Sequence, residues 1–166
     1  MAGKESARGP TAETVAANIT ALRESQNLNY TQVSERLFDV GRKISAVGVR
    51  RIESGERRVD VDDLIALALA LRTSPASLLM PGLGHVGPGD RVQIAEVAST
   101  VEANDVWSWL TAQRAIDPSV DYLEFGSRSW PKWVLSDVER MVGRTREERA
   151  RIREGVEEDL NRHGWS

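Results

Sequence analysis

The sequence predicts a mainly α-helical protein, with a five-helix domain over residues 13–81 followed by a smaller α or α+β module over residues 91–166. Three observations predict this. In the first half, apolar residues recur at helical spacing in short segments, each bounded by residues that cap or stop helices. Positions 81–90 then hold two prolines and four glycines, a composition that marks a linker, bounded here as 82–90. Beyond it lie seven of the nine aromatic side chains, including all five tryptophans, so the second half is expected to build a core of its own.

Residues 1–12 are polar, lack the apolar run of a secretory signal, and are expected to form a disordered tail. A first helix is predicted over 14–25, where Val15, Ile19 and Leu22 place one apolar stripe inward. Asn29 can cap a second helix over 30–40, with Gln32 completing a capping box, Val33, Leu37 and Val40 facing the core, and Gly41 ending it. Ser45 caps a third, short helix with Val49 and Ile52 inward, stopped by Ser54-Gly55. Asp60 opens a fourth, whose inward side is read as Val61, Leu64, Ile65, Ala68 and Leu71, and Ser74-Pro75 starts a fifth carrying Leu78 and Leu79.

The second half reads less clearly. Residues 91–97 and 122–125 are strand candidates, and 101–114 a helix with Val106, Trp107 and Leu110 as core contacts. Thr145 and Glu148 form a capping box for a final helix, with Ile152, Val156 and Leu160 recurring every four residues. Trp107, Trp109, Trp130 and Trp133 are expected chiefly in the core, with a dimer interface or an effector pocket as the alternatives.

Charge separates the halves. The chain carries -3 overall, but residues 1–81 hold 11 basic and 10 acidic side chains, against 11 and 15 in residues 82–166. Within 42–58, six basic residues (Arg42, Lys43, Arg50, Arg51, Arg57 and Arg58) face only Glu53 and Glu56, a local excess suited to an anionic partner. Glu53 itself is expected to pair with an arginine such as Arg23. Cysteine is absent, which excludes disulfides and thiolate metal sites and makes a reducing cytoplasm the expected compartment.

The second and third predicted helices have the order of a helix-turn-helix, in which one helix braces the backbone and the next presents its amino-terminal end to the major groove. The run Leu28-Asn29-Tyr30 to Leu37, then Ile44-Ser45-Ala46-Val47-Gly48-Val49-Arg50-Arg51-Ile52-Glu53-Ser54-Gly55, resembles the XRE (Cro and lambda-repressor-like) family, and residues 60–79 resemble its two closing helices. Positions 55–63 look similar to actinobacterial members. The resemblance implies a lambda-repressor-like domain that binds double-stranded DNA and regulates transcription, expected as a repressor acting as a homodimer. It implies that Ser45 caps the recognition helix and that Ala46, Val47, Gly48 and Arg50 face the groove, with Tyr30 at the start of the bracing helix. Arg50 is the expected base reader, Val47 could pack on a thymine methyl, Gly48 would permit close approach, and Arg42, Lys43, Arg51, Arg57 and Arg58 would contact phosphates. Because Ala46, Val47 and Gly48 carry no polar side chain, part of the readout would fall to DNA shape.

Other signals lead elsewhere and are set aside. Gly82-Leu83-Gly84-His85-Val86-Gly87 fits a dinucleotide fingerprint but lacks the strand before and the helix after it. His85 and His163 stand apart from other metal donors, and no nucleophile elbow is present, so neither cofactor, metal nor enzymatic activity is expected. No stretch suggests membrane insertion. The second half is expected to self-associate or to sense an effector. Alternatively it binds a protein partner, as in an antitoxin or prophage control factor, or the whole chain is an interaction protein that does not bind DNA.

Overall fold

In the computed structural model the described residues are 9–95, 100–143 and 150–151. Seven helices and a two-stranded sheet follow one another as α1 (Pro10–Ser25), α2 (Tyr30–Asp39), α3 (Ala46–Ser54), α4 (Val61–Ala70), α5 (Pro75–Leu79), β1 (Arg91–Val92), β2 (Val101–Glu102), α6 (Ala103–Leu110) and α7 (Tyr122–Ser129). Residues 132–143 are also helical. The chain divides into two compact units, 1–116 and 117–166.

Local chemistry sets the helix ends. Helix α1 starts at Pro10 rather than at 14, because proline needs no amide partner in a first turn and its fixed φ suits the helix. Positions 10–12, expected in the tail, are therefore helical. The Asn29–Gln32 capping box forms in full. At the other end of α2, Gly41 adopts φ +84°. There the amides of Gly41 and Arg42 donate to the carbonyls of Phe38 and Leu37, at 2.9 and 2.8 Å, which turns the chain sharply toward α3. The side chains of Ser45, Asp60 and Ser74 accept the third amide of α3, α4 and α5 in turn.

The five helices bury one core, in which Ile19, Val33, Leu37, Val49, Ile52, Leu67, Leu71 and Leu78 have at most 1% of their surface exposed. Each such side chain contributes roughly 1.5–3 kcal/mol by leaving water. Polar side chains tie the bundle together. Asn18, buried in α1, donates from Nδ2 to the carbonyls of Ser77, Leu78 and Met80 and so satisfies the end of α5. Gln26 and Arg36 donate to the carbonyls of Leu71 and Ala70 at the end of α4.

Three inward assignments are corrected. Val40 is 42% exposed because α2 ends before it, and Val61 and Ile65 are 77% and 45% exposed because Asp63, Ala66, Leu67 and Ala70 form the inward face of α4 instead. Apolar residues surround α4 on nearly all sides, so spacing alone did not select the buried stripe.

The expected linker at 82–90 is likewise corrected. It folds into turns, with His85 and Val86 donating to the Gly82 carbonyl. Leu83 and Val86 pack on a second cluster of Met80, Val92, Ala103 and Val106, joined by Trp107, Leu110 and Ile116. The first unit consequently runs on to Ile116, and the boundary lies after it. Strand pairing is short: β1 covers 91–92, antiparallel to β2 with Arg91 opposite Glu102, while 93–95 are not strand and 96–97 of the expected strand lie outside the described residues. The helix expected from 101 begins at Ala103.

The strand expected at 122–125 is a helix. Asp121 accepts from the amides of Leu123 and Glu124, and this cap overrides the weak strand preference of four residues. In that unit, Tyr122 meets Trp130 edge-on with centroids 4.9 Å apart. Trp109 and Trp133, expected in the core, are 41% and 72% exposed. Of the predicted final helix at 145–163 only residues 150–151 are described, and they are helical; the rest of it lies outside the described residues, as do positions 1–8.

Candidate nucleic-acid interface

Helix α3 is amphipathic in a consequential way. Gly48, Val49 and Ile52 are buried, whereas Val47, Arg50, Arg51 and Ser54 are exposed at the i, i+3, i+4, i+7 spacing of one outward face. Ser45 lies at its exposed amino-terminal end and accepts the Gly48 amide at 3.2 Å. Gly55, at φ +77°, ends the helix. Ala46 is half-buried.

An ion pair fixes the orientation of this face. Arg23 of α1 donates to both carboxylate oxygens of Glu53, at 2.7 and 3.0 Å, and to the Leu28 carbonyl at 3.1 Å. Its guanidinium also lies 4.7 Å from the centre of the Tyr30 ring. The Glu53 contact pushes the Arg23 pKa further above its usual value. The expected Arg23–Glu53 pair is therefore present, and it turns the only acidic side chain of α3 away from the outward face. Tyr30, expected near DNA, is instead half-buried under Arg23 and against the core.

Gly48 is buried and lies off the outward face of α3. A Cβ there would stand 2.9 Å from Ile44 Cγ2 and 3.1 Å from Arg57 Nη1, so glycine serves the packing of α3 on its own domain. Sequence position suggested close approach to a ligand; the close approach is internal.

The basic residues fall into two groups. Arg42 Nε donates to Asp63 Oδ1 at 2.6 Å and Arg57 Nη2 to Asp63 Oδ2 at 3.0 Å, so two guanidinium groups satisfy one buried carboxylate. Arg42 also donates to both oxygens of Asp60. Its pKa rises, first through the hydrogen bond to Asp63, while that of Asp60 falls because the Asp63 amide and Arg42 hold its carboxylate. Arg42 and Arg57, expected as phosphate contacts, thus lock the start of α4 to the segments flanking α3. By contrast Lys43 and Arg50 are exposed and form no ion pair among the described residues. Arg51 is exposed, with Glu56 3.8 Å away, and Arg58 is exposed. Sequence reasoning missed Ser54, which the i+7 spacing from Val47 would have placed on the face.

Residues 19–78 match the family model described as helix-turn-helix. This segment is a helix-turn-helix domain of the XRE (Cro and lambda-repressor-like) family. Its kind is that of DNA-binding transcriptional regulators. No curated protein and no solved structure matches the chain. Within the helix-turn-helix domain, α3 follows α2 and turns Val47, Arg50 and Arg51 outward. Among the described residues no helix is long and apolar enough to cross a membrane, and no cluster of metal-ligating side chains occurs.

Proposed function

We propose that the protein is a sequence-specific repressor that places the amino-terminal half of α3 in the major groove of operator DNA. One observation carries the reading: the outward face of α3 holds two exposed arginines, while Glu53, Asp60 and Asp63 are engaged by Arg23, Arg42 and Arg57, and Glu56, exposed beside Ser54, pairs with Arg51. Acidic groups that would repel phosphates are neutralised internally. Arg50 reads a guanine edge through its planar fork, Val47 packs on a thymine methyl, and Lys43, Arg51 and Arg58 contact phosphates. Ser45 and Ala46 lie at the end of α3 that enters first. The protein acts as a dimer, so the operator is an inverted repeat with half-sites about 34 Å apart.

Selection from a random DNA pool at near-physiological salt tests this, because salt suppresses binding that depends on charge alone. An enriched inverted repeat is the expected result. Folded protein that enriches no motif would overturn sequence-specific binding.

A second reading assigns a protein partner to the second unit, favoured by Trp133, which is 72% exposed. It predicts a complex that persists in Trp133→Ala only at much reduced affinity.

A further inference from the structure

The solvent side of α4 is apolar. Of its ten residues only Val61, Asp62, Ile65 and Leu69 are exposed, and the three apolar ones keep 77%, 45% and 59% of their surface in water. Spaced by four, they form a single stripe along the helix. Helix α2 packs alongside, with Arg36 donating to the Ala70 carbonyl, and Arg42, in the turn after α2, donates to Asp63. Phe38 of α2 and Val40, its C-cap, are exposed as well, 64% and 42%. A helix of a soluble domain ordinarily turns charged residues outward at such positions.

We infer that this face binds a second copy of the chain, with the two α4 helices antiparallel and a two-fold axis passing through Ile65. The stripe is symmetric about that residue. Antiparallel pairing sets Val61 against Leu69 of the second copy and Ile65 against its own counterpart, the self-complementary arrangement that a two-fold interface requires. Charge selects the same direction. Asp62, exposed and 3.9 Å from Arg42 of its own chain, lies at the start of α4, and Arg72, exposed and without an ion pair among the described residues, lies just past its end. Antiparallel helices bring each Asp62 toward Arg72 of the second copy and oppose the helix dipoles favourably, whereas parallel helices bring like charges together.

The five exposed apolar side chains offer on the order of 500 Å² per copy, so pairing buries at most about 1,000 Å², the lower end for a specific interface. The dimer is accordingly reversible. The Val47, Arg50, Arg51 face of α3 contributes no residue to this pairing. The inference extends the dimer of the proposed function by assigning self-association to the helix-turn-helix domain itself.

The absence of cysteine allows a direct test in the full chain. Under mild oxidation Ile65→Cys is expected to cross-link to itself. Val61→Cys and Leu69→Cys should not do so alone, because like residues stand about 12 Å apart along the paired helices, beyond the ~7 Å limit between bridged Cα atoms. Mixed together, those two variants should cross-link. Ile65→Asp should weaken self-association at least tenfold in sedimentation equilibrium while leaving unchanged the melting temperature of the monomer, read at concentrations where both chains are dissociated. A chain that stays monomeric at high micromolar concentration would overturn the inference, as would a dimer that Ile65→Asp leaves intact. Equal cross-linking of all three single variants would overturn it too, by showing random collision. Affinity for an isolated half-site should not change in Ile65→Asp, so failure of the α4 pairing and failure of DNA binding give different results.

Discussion

Replacing Glu53 by alanine is expected to destabilise the helix-turn-helix domain by about 3 kcal/mol, the low end of the cost of breaking a buried ion pair. The two charged side chains are only 13% and 6% exposed, so solvent screens their interaction little. The change removes two charge-assisted hydrogen bonds, at 2.7 and 3.0 Å, and leaves the Arg23 guanidinium largely out of water. The cost stays at the low end because Arg23 keeps the Leu28 carbonyl, the exposed Glu24 carboxylate and the Tyr30 ring. Urea unfolding followed by circular dichroism measures the loss as a shift in midpoint at constant slope. The double variant Arg23→Met with Glu53→Leu should recover most of it, since well-packed apolar residues can replace a buried pair at little cost. A loss below about 1 kcal/mol for Glu53→Ala would refute the reasoning, because that is the worth of a solvated surface pair. Glu53 also anchors α3, so DNA affinity should fall in the alanine variant beyond what unfolding accounts for.

Arg50→Ala should lower affinity for a selected operator by about 1–3 kcal/mol and relax specificity at one base pair, with unchanged stability. Lys43→Ala should weaken specific and random DNA alike and reduce the salt slope by about 1, both measurable by fluorescence anisotropy across a salt series. Gly48→Ala should destabilise the domain, because the Cβ meets the buried Ile44 methyl at 2.9 Å and overpacking of about 1–3 kcal/mol outweighs the helix-propensity gain of about 1 kcal/mol. A more stable alanine variant in urea would contradict the packing described. For pH, Asp60 has a folded pKa below its usual 3.8, so its ionised form stabilises the fold at all higher pH and that contribution disappears as pH falls through the folded value. Asp60→Asn, which can still cap α4, should flatten the loss of stability below about pH 4 in acid titrations of the unfolding midpoint, while an unchanged acid limb would exclude that contribution.

What could be read from sequence was local. The Asn29–Gln32 box, the caps at Ser45, Asp60 and Ser74, and the stop at Gly55 involve residues within one turn of each other, so the helices of residues 10–79 follow closely from the order of residues. The Arg23–Glu53 pair was legible as well, because an acid within a basic segment needs a cation to face. The directions of side chains were decided only by packing. Periodicity finds an apolar stripe but does not choose among stripes when nearly every side is apolar, and so Val61 and Ile65 were read inward while they lie in water. Likewise six basic residues in one segment predict a positive surface, yet the burial of Asp63 withdrew Arg42 and Arg57 from it. A buried carboxylate needs compensating charge wherever the chain can supply it, and that demand comes from contacts up to 21 residues apart in sequence. Gly48 turned inward for the same kind of reason: the space available to its side chain is set by Ile44 and Arg57, which only the folded chain brings to it.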